Sequence, residues 1–222
     1  MHIYLKENWL GFAASQLLGD GHLRGNIIHW RHENHQRDYV LWKGQISQSL
    51  GLDTKIKLDI PCTSQFGAYF ISHGHCKIPT KELKGKAPEN LVGYLNALGL
   101  LLWWLDDGCI SVHHKKNGIS VSRFGYLGTE QFDFESNQRI ADALFRRFGL
   151  SSRIHIDKGG IRGQNMVYYR LYFNATTMRA LIDIIRPLIP SIPRCMLYKI
   201  HMGYFPTRMN NSHEYSERYN FV

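Results

Sequence analysis

The chain has 222 residues, of which 44% are hydrophobic and 13% aromatic, ample for one large domain or two small ones sharing a core. Its 27 lysines and arginines against 18 acids leave a net charge of +9, to which 12 histidines add as pH falls; this points to a polyanionic partner, nucleic acid foremost. The longest apolar stretch, residues 98–105, is far too short to span a bilayer, and the four cysteines form no CxxC pair, which argues against a membrane protein, a zinc ribbon and a disulfide framework.

His73, His75 and Cys76 make a local cluster, but no second half lies at ligand spacing, so the segment reads as loop or strand rather than metal site. The N-terminus lacks the charged, apolar, small-residue order of a signal peptide. The expectation is a soluble intracellular protein. A composition not saturated in lysine, asparagine and isoleucine favours a bacterial or phage-infected cytoplasm over an organelle.

In chain order, the first apolar run ends in Leu17-Leu18-Gly19-Asp20-Gly21. Strand-like segments follow at 22–24 and 27–31. A helix marked by Tyr39, Trp42, Ile46 and Leu50 comes next, capped by Gly51. The segment 50–59, with a further strand pair after it, leads to a short broken run at 76–83 that closes a first half. Lys86-Ala87-Pro88 marks a boundary that divides the chain into 1–87 and 88–222. A second helix starts at Pro88 or Glu89, breaks near Asn96, and ends in Trp104-Leu105-Asp106-Asp107-Gly108.

Strands at 109–112 and 119–122 follow, joined through Lys116-Asn117-Gly118. Ile140, Leu144 and Phe148 mark a helix capped by Gly149, and the segment 148–157 then repeats the pattern of 50–59. Val167, Tyr169, Leu171 and Phe173 alternate as a half-buried antiparallel strand. A helix over 177–186 is stopped by Pro187.

Asp20 and Asp107 share a context that stability alone does not favour. Each stands where a helix stops, and a carboxylate at that negative end of the dipole costs about 0.3–1 kcal/mol. The glycine after each is expected to be a left-handed cap. Packed side by side, the two runs bring two carboxylates together, and hard oxygen donors suit Mg²⁺.

These paired runs resemble the two signature helices of a LAGLIDADG homing endonuclease of the single-chain, two-motif, intron-encoded type. The aromatic-rich run Leu100-Leu101-Leu102-Trp103-Trp104-Leu105-Asp106-Asp107-Gly108 carries the likeness, as does the ending Ile192-Pro193-Arg194-Cys195-Met196-Leu197-Tyr198-Lys199. The resemblance implies an α+β fold of two pseudo-symmetric αββαββ(α) halves, with the signature helices packed at the centre and two antiparallel sheets forming a DNA-binding saddle. Gly11, Ser15 and Gly19 suit close helix packing, whereas Leu98 and Leu102 at the matching positions imply looser or asymmetric packing.

By position, the resemblance makes Asp20 and Asp107 the metal-binding acids, for Mg²⁺ or Mn²⁺, with Asp106 a neighbour that supports them or offers its carbonyl. It places Lys199, and in the first half Lys86 or Lys84, near the scissile phosphates. The implied activity is site-specific, Mg²⁺-dependent hydrolysis of both strands of a DNA target by a monomer. The alternatives are an RNA maturase acting on its own intron and a non-catalytic DNA-binding protein of the same fold.

A two-stranded ribbon fits the major groove, where Arg, Lys, Asn, Gln, Ser and His on its face read base edges or grip phosphate. The candidates are Arg24, Asn26, His29, Arg31, His32, Lys55 and Lys57 in the first half. In the second they are His113, Lys115, Lys116, Ser120, Ser122, Arg123, Arg153, His155, Lys158, Arg162, Gln164 and Arg170.

Overall fold

Two apolar helices lie against each other, α1 (Trp9–Leu18) and α4 (Ala97–Asp107), and most residues of both are buried. The computed structural model describes residues 9–64, 67–78, 83–114, 121–158 and 167–200. Close approach of the helices is enforced by glycine on both sides. A Cβ on Gly99 would stand 2.7 Å from the Gly11 carbonyl oxygen, and one on Gly11 would stand 3.0 Å from Asn96 Nδ2. Of the looser or asymmetric packing expected from Leu98 and Leu102, looseness is corrected: Gly99, one position along, supplies the close contact.

The break near Asn96 is real. A short helix α3 (Pro88–Val92) precedes it, and Asn96 then caps α4 by accepting a hydrogen bond from Gly99 N at 2.9 Å. Each central helix feeds a four-stranded antiparallel sheet. The first has β1 (His22–Arg24), β2 (Ile27–Glu33), β3 (Thr54–Ser64) and β4 (Gly67–Lys77), with α2 (Arg37–Ser49) between β2 and β3. The second has β5 (Gly108–His114), β6 (Val121–Leu127), β7 (Arg153–Lys158) and β8 (Val167–Phe173), with α5 (Phe134–Phe148) in the matching place. The strand orders are β1-β2-β4-β3 and β5-β6-β8-β7, so the repeat in sequence is a repeat in topology.

Gly51 and Gly149 are left-handed caps after α2 and α5, with φ of 77° and 69°. Gly21 and Gly108 are not; Gly108 is extended at φ −75° and ψ 147°. They are glycine for lack of room: a Cβ on Gly21 would lie 2.6 Å from the Gln16 carbonyl oxygen, and one on Gly108 would collide with Trp104.

In place of the short closing run expected at 76–83, Cys76 and Lys77 finish β4, while residues 79–82 lie outside the described set. The second half does end in a helix, α6 (Ala175–Ile185), capped by Asn174 and followed by 3₁₀ segments Arg186–Ser191 and Arg194–Lys199. One continuous apolar core joins the halves, with Phe12, Trp30, Trp103, Trp104 and Phe173 at 0–1% exposure.

Candidate active site

The two central helices end side by side, which places the acids at their C-terminal ends in one electrostatic neighbourhood. Burial first, then Asp106 and Asp20, push Asp107 up to about 8 against the opposing pull of Lys199 and Lys43. Asp20 is raised as well, first by burial and then by Asp106, although its side chain is 45% exposed. Acids raised by burial and by one another, beyond what Lys43 and Lys199 offset, supply the oxygen donors a hard divalent cation requires. Asp20 and Asp107 fit such an ion on this ground.

Asp106 differs from both. Its carboxylate is fully buried, with Lys43 Nζ at 2.6 Å from Oδ1 and 2.9 Å from Oδ2, and the Tyr39 hydroxyl donating to Oδ1 at 2.8 Å. Lys43 and Tyr39 come from α2 of the other half. On the sequence, Trp42, Ile46 and Leu50 were expected to mark the buried face of α2 together with Tyr39. Those three are partly buried and pack against the core, while the fully buried strip beside them runs through Tyr39, Val40, Lys43, Gly44 and Ser47. The sequence signal for Lys43 is a lysine one helical turn from Tyr39.

His32 was expected on the DNA-reading face and is corrected here. Strand alternation turns Ile28, Trp30 and His32 inward, leaving His32 6% exposed. Its Nδ1 lies 3.6 Å from Asp20 Oδ2 and its Nε2 3.2 Å from Lys43 Nζ. Burial first, then the Lys43 charge, drives its pKa down to about 3, so the contact with Asp20 is made by a neutral imidazole and is no ion pair at physiological pH.

Lys199 arrives from the last 3₁₀ segment. Its Nζ donates to the Asp106 carbonyl oxygen at 2.8 Å, and its own carbonyl accepts from Trp104 Nε1 at 2.7 Å. Burial lowers its pKa while Asp106, Asp107 and Asp20 hold it up. Lys84 and Lys86 sit at an exposed turn around Gly85, where both line a hollow with Leu17, Leu23 and Phe132. Lys86 is not among the leading charges felt by Asp20 or Asp107; Lys43 and Lys199 are.

The outward face of the first sheet carries most of the first-half candidates. Arg24, His29, Arg31, Lys55 and Lys57 lie on it, and Asn26 is exposed at the β1–β2 turn. Three histidines not put forward as DNA readers share it. His22 stacks on His29 at 5.0 Å, His29 meets His75 at 5.4 Å, and His75 meets His73 at 6.5 Å. Their two-residue spacing on β4 was the legible signal.

The second sheet is chemically different. Phe124, Tyr126 and Tyr172 cluster on its outward face with centroids 5.4–5.6 Å apart, beside His155. Arg153 and Lys158 are exposed. Arg170 is held by Glu130 at 2.6 Å and Asp157 at 3.3 Å, so its charge is already answered within the chain. Arg123 is corrected: it alternates onto the inward side with Gly125 and Leu127, its Nε buried. Lys115, Lys116, Ser120, Arg162 and Gln164 lie outside the described residues, as do the side chains of His113 and Ser122.

Two matched α+β halves, each presenting an acid at the C-terminal end of a central helix, define the class as a paired-helix protein with a shared carboxylate centre. The sequence profile of the LAGLIDADG DNA endonuclease family matches residues 13–181, and the chain belongs to that family. The homing endonuclease I-WcaI, solved bound to its DNA recognition sequence, superposes with a TM-score of 0.67 at 16% identity, covering 90% of this chain and 88% of that one. The N-terminal LAGLIDADG domain of DUF199/WhiA matches at a TM-score of 0.47 and 12% identity, over 86% of this chain and 90% of the other. Mesophilic variants of the homing endonuclease I-DmoI match at 0.42 and 10%, over 81% and 96%. No curated protein matches in sequence. Among the described residues no helix is long and apolar enough to cross a membrane.

Proposed function

We propose that this protein is a site-specific, Mg²⁺-dependent endonuclease that cuts both strands of a DNA target, its halves spanning 1–87 and 88–222. The observation that carries the reading is the packing of the two helix ends, with Gly19 against Asp106, the residues just before Asp20 and Asp107, and Lys199 Nζ on the Asp106 carbonyl. Asp20 and Asp107 would hold the divalent ion, which when bound supplies an activated water and charge stabilisation on the attacked phosphate.

The chain's own residues do the rest. Lys199, anchored through Asp106 and Trp104, presents a compact positive charge to a scissile phosphate without the fork geometry of arginine. Neutral His32 offers a polar contact beside Asp20 without adding charge. The outward face of the first sheet supplies phosphate contacts through Arg24, Lys55 and Lys57 and base contacts through Asn26, His29 and Arg31. Arg153, His155 and Lys158 extend the surface in the second half.

The test is incubation of the purified chain with DNA spanning the uninterrupted form of its own coding locus, with Mg²⁺, with Ca²⁺ and with chelator. Cleavage at one position, dependent on Mg²⁺ and lost in Asp107→Asn, is the expected result. Binding without cleavage would assign the chain to a non-catalytic DNA-binding role.

A further inference from the structure

We infer that the Lys43 ammonium is a tethered cation: it fills the Asp20–His32–Asp106 cluster in place of a metal, leaving Asp20 and Asp107 as the carboxylates open to a divalent ion. The inference rests on the endonuclease reading and concerns a residue that reading does not use.

Among the described residues, Asp20, His32 and Asp106 form the one group of acids and imidazoles whose ligand atoms lie within 4.8 Å of one another. By proximity alone this is the metal site. The interior of the group is nevertheless taken. Lys43 Nζ reaches both oxygens of Asp106 and approaches His32 Nε2 at 3.2 Å. An ammonium donates and never accepts, so Nε2 must be the acceptor and the neutral ring carries its proton on Nδ1, turned towards Asp20. The lone pair through which His32 would ligate a metal is therefore committed to Lys43.

Asp106 is committed as well, with donors from Lys43 and Tyr39 on its carboxylate and both charged groups at 0% side-chain exposure. A buried ion pair is poor evidence for stability, since an apolar pair of the same volume commonly does as well. What this one does is fix the last turn of α4. Asp106 is held by its side chain from α2 and by its carbonyl from Lys199, immediately before Asp107. The repeat sets Ala141 opposite Lys43, counting back from Gly149 and Gly51, so the second half lacks the device.

The experiment is an electron paramagnetic resonance titration of the full chain with Mn²⁺ alone, paired with melting curves. Asp106→Asn is expected to keep the Mn²⁺ stoichiometry and to bind within about threefold of the parent, whereas Asp107→Asn weakens binding tenfold or more. Lys43→Met is expected to gain one Mn²⁺ per chain and to be raised in Tm by Mn²⁺ more than the parent. Adding Asp106→Asn to Lys43→Met abolishes that gain. Loss of a bound Mn²⁺ in Asp106→Asn overturns the inference, as does a folded Lys43→Met that gains none. If Lys43→Met does not fold even with Mn²⁺, the Asp106→Asn arm decides. Unchanged binding in Asp107→Asn strikes at the metal assignment of the proposed function, and the Lys43→Met gain still measures this inference separately.

Discussion

Asp106 lies directly against Gly19: a Cβ on Gly19 would stand 2.8 Å from Asp106 Oδ2. The two positions correspond in the repeat, each preceding its half's acid, so the glycine of one half makes room for the carboxylate of the other. Gly19→Ala is expected to push Asp106 off Lys43 and to destabilise the fold by about 1–3 kcal/mol, the usual cost of overpacking. Gly149→Ala, at a φ of 69° with nothing within 4 Å, should cost less, since only its backbone is strained. Denaturant melts of the pair check the order; Gly149→Ala proving the worse would contradict the close helix packing.

Asp107 makes stability depend on pH. Its folded pKa, about 8, lies well above the ordinary 3.8 that the unfolded chain retains. Between those values the folded state keeps a proton that the unfolded state releases, so stability falls as pH rises through the window. Asp107→Asn removes this liability. At pH 8 and without divalent metal it should raise Tm by at least about 2–4 °C, the shift that ~1 kcal/mol produces in a chain of this size. An unchanged or lower Tm would count against the converging acids.

Lys199→Met keeps the stem and removes the charge. Single-turnover cleavage should slow by about 10²-fold, a loss typical of a positioned charge, with DNA affinity little changed. Because Lys199 Nζ is partly buried on the Asp106 carbonyl, Tm should also fall measurably. A lower Tm with normal cutting by the folded fraction would make Lys199 purely structural.

The histidine file predicts the pH dependence of DNA affinity. Burial and neighbouring cations hold His29 and His73 below the ordinary imidazole value, so both are neutral at pH 7. Lowering the pH protonates them in a field of phosphates, and affinity should rise, with the log–log salt slope steepening by up to about 0.9 per added phosphate contact. The double variant His29→Ala, His73→Ala should flatten that response. Fluorescence anisotropy at pH 5.5 and 7.5 across a salt series measures it; equal slopes at the two pH values would mean the file does not meet phosphate.

Sequence periodicity determined a good deal. Strands alternate with period two and helices with 3.6, so the repeated order of elements, the caps Gly51 and Gly149, the break at Asn96 and the doubled Asp-Gly ends were all legible along the chain. Local chemistry also singled out Asp20 and Asp107, because acids at helix C-termini run against the dipole and so call for a reason; Lys199 was legible only through the resemblance of the closing segment.

What the tertiary structure alone decided were contacts between residues far apart in sequence. Lys43 and Asp106 are 63 positions apart, and nothing in the composition of either segment says that they meet. His32 looked like its neighbours His29 and Arg31, yet one step of strand parity turned it from the outer face to the buried centre. Gly21 and Gly108 resembled flexible caps and are instead glycine because Gln16 and Trp104 occupy the space of a side chain. A sequence records which residues share a face of one element; which two faces meet, and hence which acid is paired with a buried lysine, is fixed only when the helices pack.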